Sequence, residues 1–122
     1  MHGADKNHAA AREWFELNDE ELVTTPLTVA EMDYFITASG EAARDALWES
    51  FEDGAYTVRW WADGTRETLA IARRQPFVGL TDASLVALAG LLRTNRIVTF
   101  DQHFRSLTTP AGEPFVVLPA DA

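Results

Sequence analysis

Two aspartates, Asp82 and Asp101, bracket the stretch of this chain best suited to chemistry. Asp82 opens the run Leu80-Thr-Asp-Ala-Ser-Leu-Val-Ala-Leu-Ala-Gly-Leu-Leu92, which reads as a helix apolar on every side. Asp101 follows the β-rich run Arg96-Ile-Val-Thr-Phe100. An α/β fold places both positions on one rim, where strand carboxyl ends face helix N-termini. Two carboxylates on that rim can hold a hard divalent cation through oxygen ligands. Each residue alone has a plain reading: an acid in a first helical turn complements the helix dipole, and an acid after a strand starts a turn. An all-apolar helix, however, is a buried one, so its first turn lies near the sheet and not in open solvent.

A third carboxylate, Glu31, lies on the segment Leu27-Thr-Val-Ala-Glu-Met-Asp-Tyr-Phe-Ile36. Positions 27, 31, 34 and 35 share one face at helical spacing, so Glu31 interrupts a stripe of Leu27, Tyr34 and Phe35. A carboxylate in such a stripe is expected to be paired, protonated or metal-bound. Asp33 is its rival, on a less uniformly apolar face. His103 suits a general base or a phosphate contact, against the plainer reading of a surface residue. Trp60-Trp61 is expected to cover core or an interface before serving as a base-stacking platform. Glycine-rich phosphate loops and Ser/His/Asp arrangements are missing from the sequence.

The elements that must position these side chains follow from periodicity and punctuation. His8 to Leu17 reads as an amphipathic helix, with Ala10, Trp14 and Leu17 on one face. Leu22 to Thr25 is a short strand. Thr25 caps a helix with Pro26 at its first position, running through Ile36 and ending near Gly40. Glu41 to Glu52 is the next helix, stopped by Asp53-Gly54. Ala55 to Trp60 alternates as a strand does, and Asp63 to Gln75 is a helix ended by Pro76. Thr81 caps the buried helix, which continues to about Arg93. Arg96 to Phe100 and Phe115 to Leu118 are the last strands. Helices alternating with short β-runs predict an α/β sandwich with a parallel sheet.

Composition narrows the function class. At 122 residues the chain suits one domain, residues 1–122, and 47% hydrophobic content can build its core. No apolar run reaches membrane-helix length, and no signal-peptide pattern opens the chain. With no cysteine, disulfides and thiolate metal sites are excluded, and a cytoplasmic protein is the expectation. The net charge of -9 argues against tight nonspecific nucleic-acid binding. It leaves room for a nuclease, because a metal inverts the local field of an acid cluster. Nine of the ten basic residues are arginine, the side chain suited to forked phosphate contacts. Arg73, Arg93 and Arg105 are the candidates for guiding a nucleic-acid backbone.

Three segments together resemble the PIN-domain ribonucleases, specifically VapC-like toxins of bacterial toxin–antitoxin systems. They are Thr28-Val-Ala-Glu-Met-Asp-Tyr34, Val78-Gly-Leu-Thr-Asp-Ala-Ser-Leu-Val-Ala-Leu-Ala89 and Arg96-Ile-Val-Thr-Phe-Asp-Gln-His-Phe104. That resemblance implies a three-layer sandwich with a short parallel sheet flanked by helices. It implies a Mg²⁺- or Mn²⁺-dependent RNA endonuclease, often a homodimer, silenced by a cognate antitoxin. Carried over residue by residue, it assigns Asp82 and Asp101 to direct metal binding. Glu31 then binds the metal or orients the attacking water. The family's first strand, ending in a fourth acid, has no counterpart here, and Asp5 does not match that acid. The domain is therefore expected to be N-terminally truncated relative to the family, through a misassigned start or a degenerate copy. The alternative function is a catalytically impaired PIN-like protein retained for antitoxin binding, and a third is a small phosphatase-like hydrolase. The helices at 26–39 and 41–52 are expected to form the groove for a basic-tailed antitoxin.

Overall fold

The computed structural model describes residues 9, 13–99 and 101–122. Residues 13–17 are helical, and a short strand, β1 (Val23–Thr24), follows. Helix α1 (Pro26–Ile36) starts where the Thr25 hydroxyl accepts the Thr28 N–H at 3.3 Å, and Pro26 supplies a preset helical φ. A 3₁₀ turn (Thr37–Ser39) and Gly40, with φ of 99°, reverse the chain into α2 (Glu41–Glu52). After Gly54 come β2 (Thr57–Val58) and α3 (Gly64–Arg74). Glu67 in the first turn of α3 and Arg73 and Arg74 in its last complement the helix dipole.

Helix α4 (Leu80–Leu92) is the axis of the molecule. It packs along both α3 and α1 and buries Ala83, Ser84, Val86, Ala87, Leu88 and Ala89. Its apolar sequence is the cause: no face can be left to water at low cost. Its C-terminus closes on Arg93, whose φ of 55° is left-handed, with the Thr94 N–H donating to the Ala89 carbonyl at 3.0 Å. Gly90 is required by closeness, since a Cβ there would lie 2.6 Å from Cγ of Pro110. Next come β3 (Arg96–Val98), a 3₁₀ turn (Gln102–Ser106) and β4 (Val116–Leu118). Ile71, Phe104, Leu107, Phe115 and Val117 complete the core against α4.

Among the described residues the strands are parallel, as alternation with helices predicts, but they form two pairs and not one sheet. β1 pairs with β2 in the register Val23↔Thr57, and β3 pairs with β4 in the register Ile97↔Val117. Two expectations are corrected. The N-cap of α4 is Gly79 with no side-chain cap, so the helix begins ahead of Thr81. Leu17 is 78% exposed, so it does not share a covered face with Trp14; Ala10 lies outside the described residues. Among the described residues, no helix is long and apolar enough to cross a membrane.

Candidate functional site

A chain of buried hydroxyls locks α1 onto the first turn of α4. Oγ1 of Thr25 lies 2.8 Å from Oγ of Ser84 and 2.9 Å from Oγ1 of Thr28. Ser84 also donates to the Thr81 carbonyl at 2.6 Å. Thr25 and Ser84 have no solvent exposure, so these bonds satisfy groups that would otherwise be costly to bury. The lock places Glu31, one turn beyond Thr28, beside the start of α4, close enough for its charge to act on Asp82.

Asp101 approaches the same point from β3. Its N–H donates to Oγ1 of Thr99 at 2.9 Å, and its Oδ1 accepts the His103 N–H at 2.9 Å, capping the 3₁₀ turn. Phe104, fully buried on that turn, anchors it in the core. Nδ1 of His103 returns to Oδ1 of Asp101 at 3.0 Å. One ligand atom each from Asp82, Asp101 and His103 lie within 4.8 Å of one another.

The electrostatics record the crowding. Burial pushes the Asp82 carboxyl above its ordinary value, and the charges of Asp101 and Glu31 push it further, while His103 offsets part of the rise. A divalent cation would relieve that repulsion. The donor set is oxygen-rich with one imidazole, which suits hard cations such as Mg²⁺ or Mn²⁺.

The structure thus brings Asp82 and Asp101 together, with Glu31 near enough for its charge to act on Asp82, but for Glu31 the sequence argument was mistaken. Tyr34 and Phe35 are 76% and 64% exposed, and Glu31 itself is exposed. The expected stripe is not buried; helical spacing identifies a face without saying that anything covers it. Its rival Asp33 is occupied elsewhere. Both Asp33 oxygens take a forked bond from Arg44 at 3.0 Å, and Oδ1 takes the Trp48 indole N–H at 2.7 Å. Those partners hold its carboxyl below the ordinary value. Arg105 is likewise committed, in a forked pair with Asp121, and that pairing argues against its guiding a nucleic acid. Arg73 and Arg93 remain exposed. Trp61 packs on the core and Trp60 lies over Gly64, in keeping with a covering role. Asp5 lies outside the described residues.

A family model described as PIN domain matches residues 1–109. The chain belongs to the PIN-domain family. It is 33% identical over 123 residues to Ribonuclease VapC26 of Mycobacterium tuberculosis (strain ATCC 25618 / H37Rv), a match covering 95% of this chain and 90% of that protein. This PIN domain is therefore VapC-like. Sequence reasoning gave two of its site-forming residues no part in the site. Thr25 and Ser84 were visible as a helix cap and as a lone hydroxyl in an apolar helix, but their meeting across 59 positions was not. His103 is exposed, as its plainer reading had it, yet its ring turns back to Asp101.

Proposed function

We propose that this PIN domain is a metal-dependent RNA endonuclease, the toxin component of a toxin–antitoxin pair. The observation that carries the reading is the convergence of Asp82, Asp101 and His103 within 4.8 Å, with Glu31 charged beside them. Asp82 and Asp101 would hold Mg²⁺ or Mn²⁺, with Glu31 or His103 completing the set. Such an ion, when bound, lowers the pKa of water and offsets charge developing on the phosphate. Glu31 is exposed at the edge of the cluster, where it orients the attacking water and accepts its proton. His103, also exposed, is placed to hydrogen-bond a phosphate oxygen or the leaving oxygen. The hydroxyl lock and the Phe104 anchor keep these groups fixed, so charge stabilisation costs little reorganisation.

The partner reading rests on the space between α1 and α2. A hollow of about 470 Å³ is lined there by Pro26, Val29, Trp48, Phe51 and Val58, with Asp33 at its edge. Its apolar walls suit the amphipathic segment of an antitoxin, whose basic tail would then reach the acidic rim. A homodimer and a cytoplasmic location belong to the same proposal.

The test is cleavage of a structured RNA by the purified chain in Mg²⁺ or Mn²⁺. Cleavage should vanish in chelator and fall by orders of magnitude in Asp82→Asn and Asp101→Asn. Tight metal binding without cleavage, together with capture of a cognate antitoxin, would favour the impaired, antitoxin-binding alternative. Cleavage that survives both substitutions would refute the site.

A further inference from the structure

The turn that presents Asp101 and His103 is held from two sides. Phe104, buried, plugs it into the core. Arg105, the next residue, is gripped by an aspartate that follows β4. Nη2 of Arg105 donates to Oδ1 of Asp121 at 2.9 Å, Nη1 donates to Oδ2 at 3.2 Å, and Nε donates to Oε1 of Gln102 at 2.8 Å. The guanidinium thus spends each of its three nitrogens. Asp121 is fixed in turn by β4. Its Oδ2 accepts the Val117 N–H at 2.8 Å, and its own N–H donates to the Val117 carbonyl at 2.8 Å. Val117 has no solvent exposure and pairs with Ile97 of β3, the strand that leads to Asp101.

These bonds close a circuit from β4 through Asp121, Arg105 and Gln102 to Asp101, and back along β3. A single anchor at Phe104 would leave the turn free to rock about that side chain. The second anchor at Arg105 removes that rotation. Rocking would swing Asp101, whose Oδ1 caps the turn through the His103 N–H at 2.9 Å, relative to Asp82 on the separate helix α4. The fork is weak as glue. The Arg105 and Asp121 side chains are 42% and 32% exposed, and ion pairs so open to water add little to stability. Its leverage lies in the angle it sets.

We infer that Asp121 is a positioning residue for the acid cluster. Acting through Arg105 and Gln102, it sets the angle of the 102–106 turn, and so the reach of Asp101 toward a cation shared with Asp82. The inference rests on the metal-site reading above. Its signature is cation selectivity. Mg²⁺ demands near-ideal octahedral oxygen ligands at about 2.0–2.1 Å, whereas Ca²⁺ accepts about 2.3–2.6 Å in flexible arrangements. A loosened turn therefore penalises Mg²⁺ and spares Ca²⁺. Loss of a merely structural contact would weaken both alike.

The experiment is calorimetric titration of Mg²⁺ and of Ca²⁺ into the full chain, with amide hydrogen exchange on the metal-free protein. Asp121→Asn keeps the side-chain shape and an acceptor for the Val117 N–H, but removes the charge that orders the fork. Arg105→Lys keeps the charge and removes the fork and the bond to Gln102. Both variants should lose about tenfold in Mg²⁺ affinity, the scale typical of partners that orient metal ligands, and less than about threefold in Ca²⁺ affinity. The His103 and Leu107 amides of both variants should exchange faster by about tenfold, with the melting temperature in chelator little changed. Full Mg²⁺ affinity in Arg105→Lys would mean that charge alone acts, and overturns the inference. So does an equal loss for Mg²⁺ and Ca²⁺, or unaltered exchange at His103. Wild type that takes up neither cation overturns the metal-site reading and this inference together, whereas wild-type binding with unaltered variants overturns this inference alone.

Discussion

Asp82→Asn separates a metal site from a helix start. The substitution keeps the side-chain shape and removes one negative charge. Ligand oxygens of Asp82 and Asp101 lie within 4.8 Å. Coulomb's law near that distance gives roughly 1 kcal/mol in water and about 3.5 kcal/mol at an effective dielectric constant of 20. Both carboxylates are half-open to solvent, so the lower figure applies. Against it stands the helix dipole, which favours an acid in the first turn by about 0.3–1 kcal/mol. Burial and the like charges of Asp101 and Glu31 push the Asp82 carboxyl up, and together they are expected to outweigh the dipole. In chelator at pH 7, the variant should therefore be more stable, by about 1 kcal/mol at most, which is a rise of about 5 °C or less in Tm. The sign with pH follows. An acid whose folded pKa exceeds its unfolded value stabilises the fold when protonated, and that stability is lost as pH rises through the folded value. The variant's advantage should appear as pH rises through the raised Asp82 value and fade as pH falls below the ordinary aspartate value. Adding Mg²⁺ or Mn²⁺ should reverse the order, because ligand at a hundred times Kd stabilises the wild type by about 2.7 kcal/mol. Circular-dichroism melts across pH, with and without metal, read all of this. A variant that melts lower in chelator, with metal stabilising both proteins equally, would make Asp82 a structural helix-start residue.

Thr25→Val and Ser84→Ala should each cost about 1–2 kcal/mol in denaturant melts, and their double-mutant cycle should show about 1 kcal/mol of coupling; additive losses would mean the hydroxyl lock is not a unit. Asp33→Asn should flatten the acid limb of the stability curve, because a carboxyl held below its ordinary value by Arg44 and Trp48 stabilises the fold above that ordinary value and loses the effect as pH falls through the lowered one; an unchanged acid limb would show that Arg44 and Trp48 do not matter in solution. Gly90→Ala should destabilise the protein by more than the helix-propensity gain of roughly 1 kcal/mol, since its Cβ would meet Pro110 at 2.6 Å; a higher Tm would refute that close approach.

Some of this structure was legible in the chain. The Thr25-Pro26 start of α1, the Asp53-Gly54 stop after α2 and the burial of α4 follow from local chemistry that nothing in the tertiary structure opposes. The strands were legible as positions but too long as drawn: Ala55 to Trp60 shortens to Thr57–Val58, because pairing, and not β-propensity, ends a strand. Asp82 and Asp101 could be placed on one rim from topology alone. Glu31 was placed by an argument that failed, because covering a helix face is a property of its neighbours. Asp33 could not be rejected from sequence, since its partners Arg44 and Trp48 come from the next helix. The Thr25–Ser84 bond spans 59 positions and has no local signature.

Asp82 is carried by the same helix that organises the core. Local opening in a protein normally spares its most buried helix and frees its loops. Here one end of that buried helix is part of the acid cluster, and Phe104 ties the other arm to the same core. Pulling Asp82 away from Asp101 therefore means disturbing the core that holds both arms, and amide exchange along Ala83 to Ala89 is a gauge of that pair's integrity. Glu31 and His103 open outward, so they are the side of the cluster on which a silencing partner can sit.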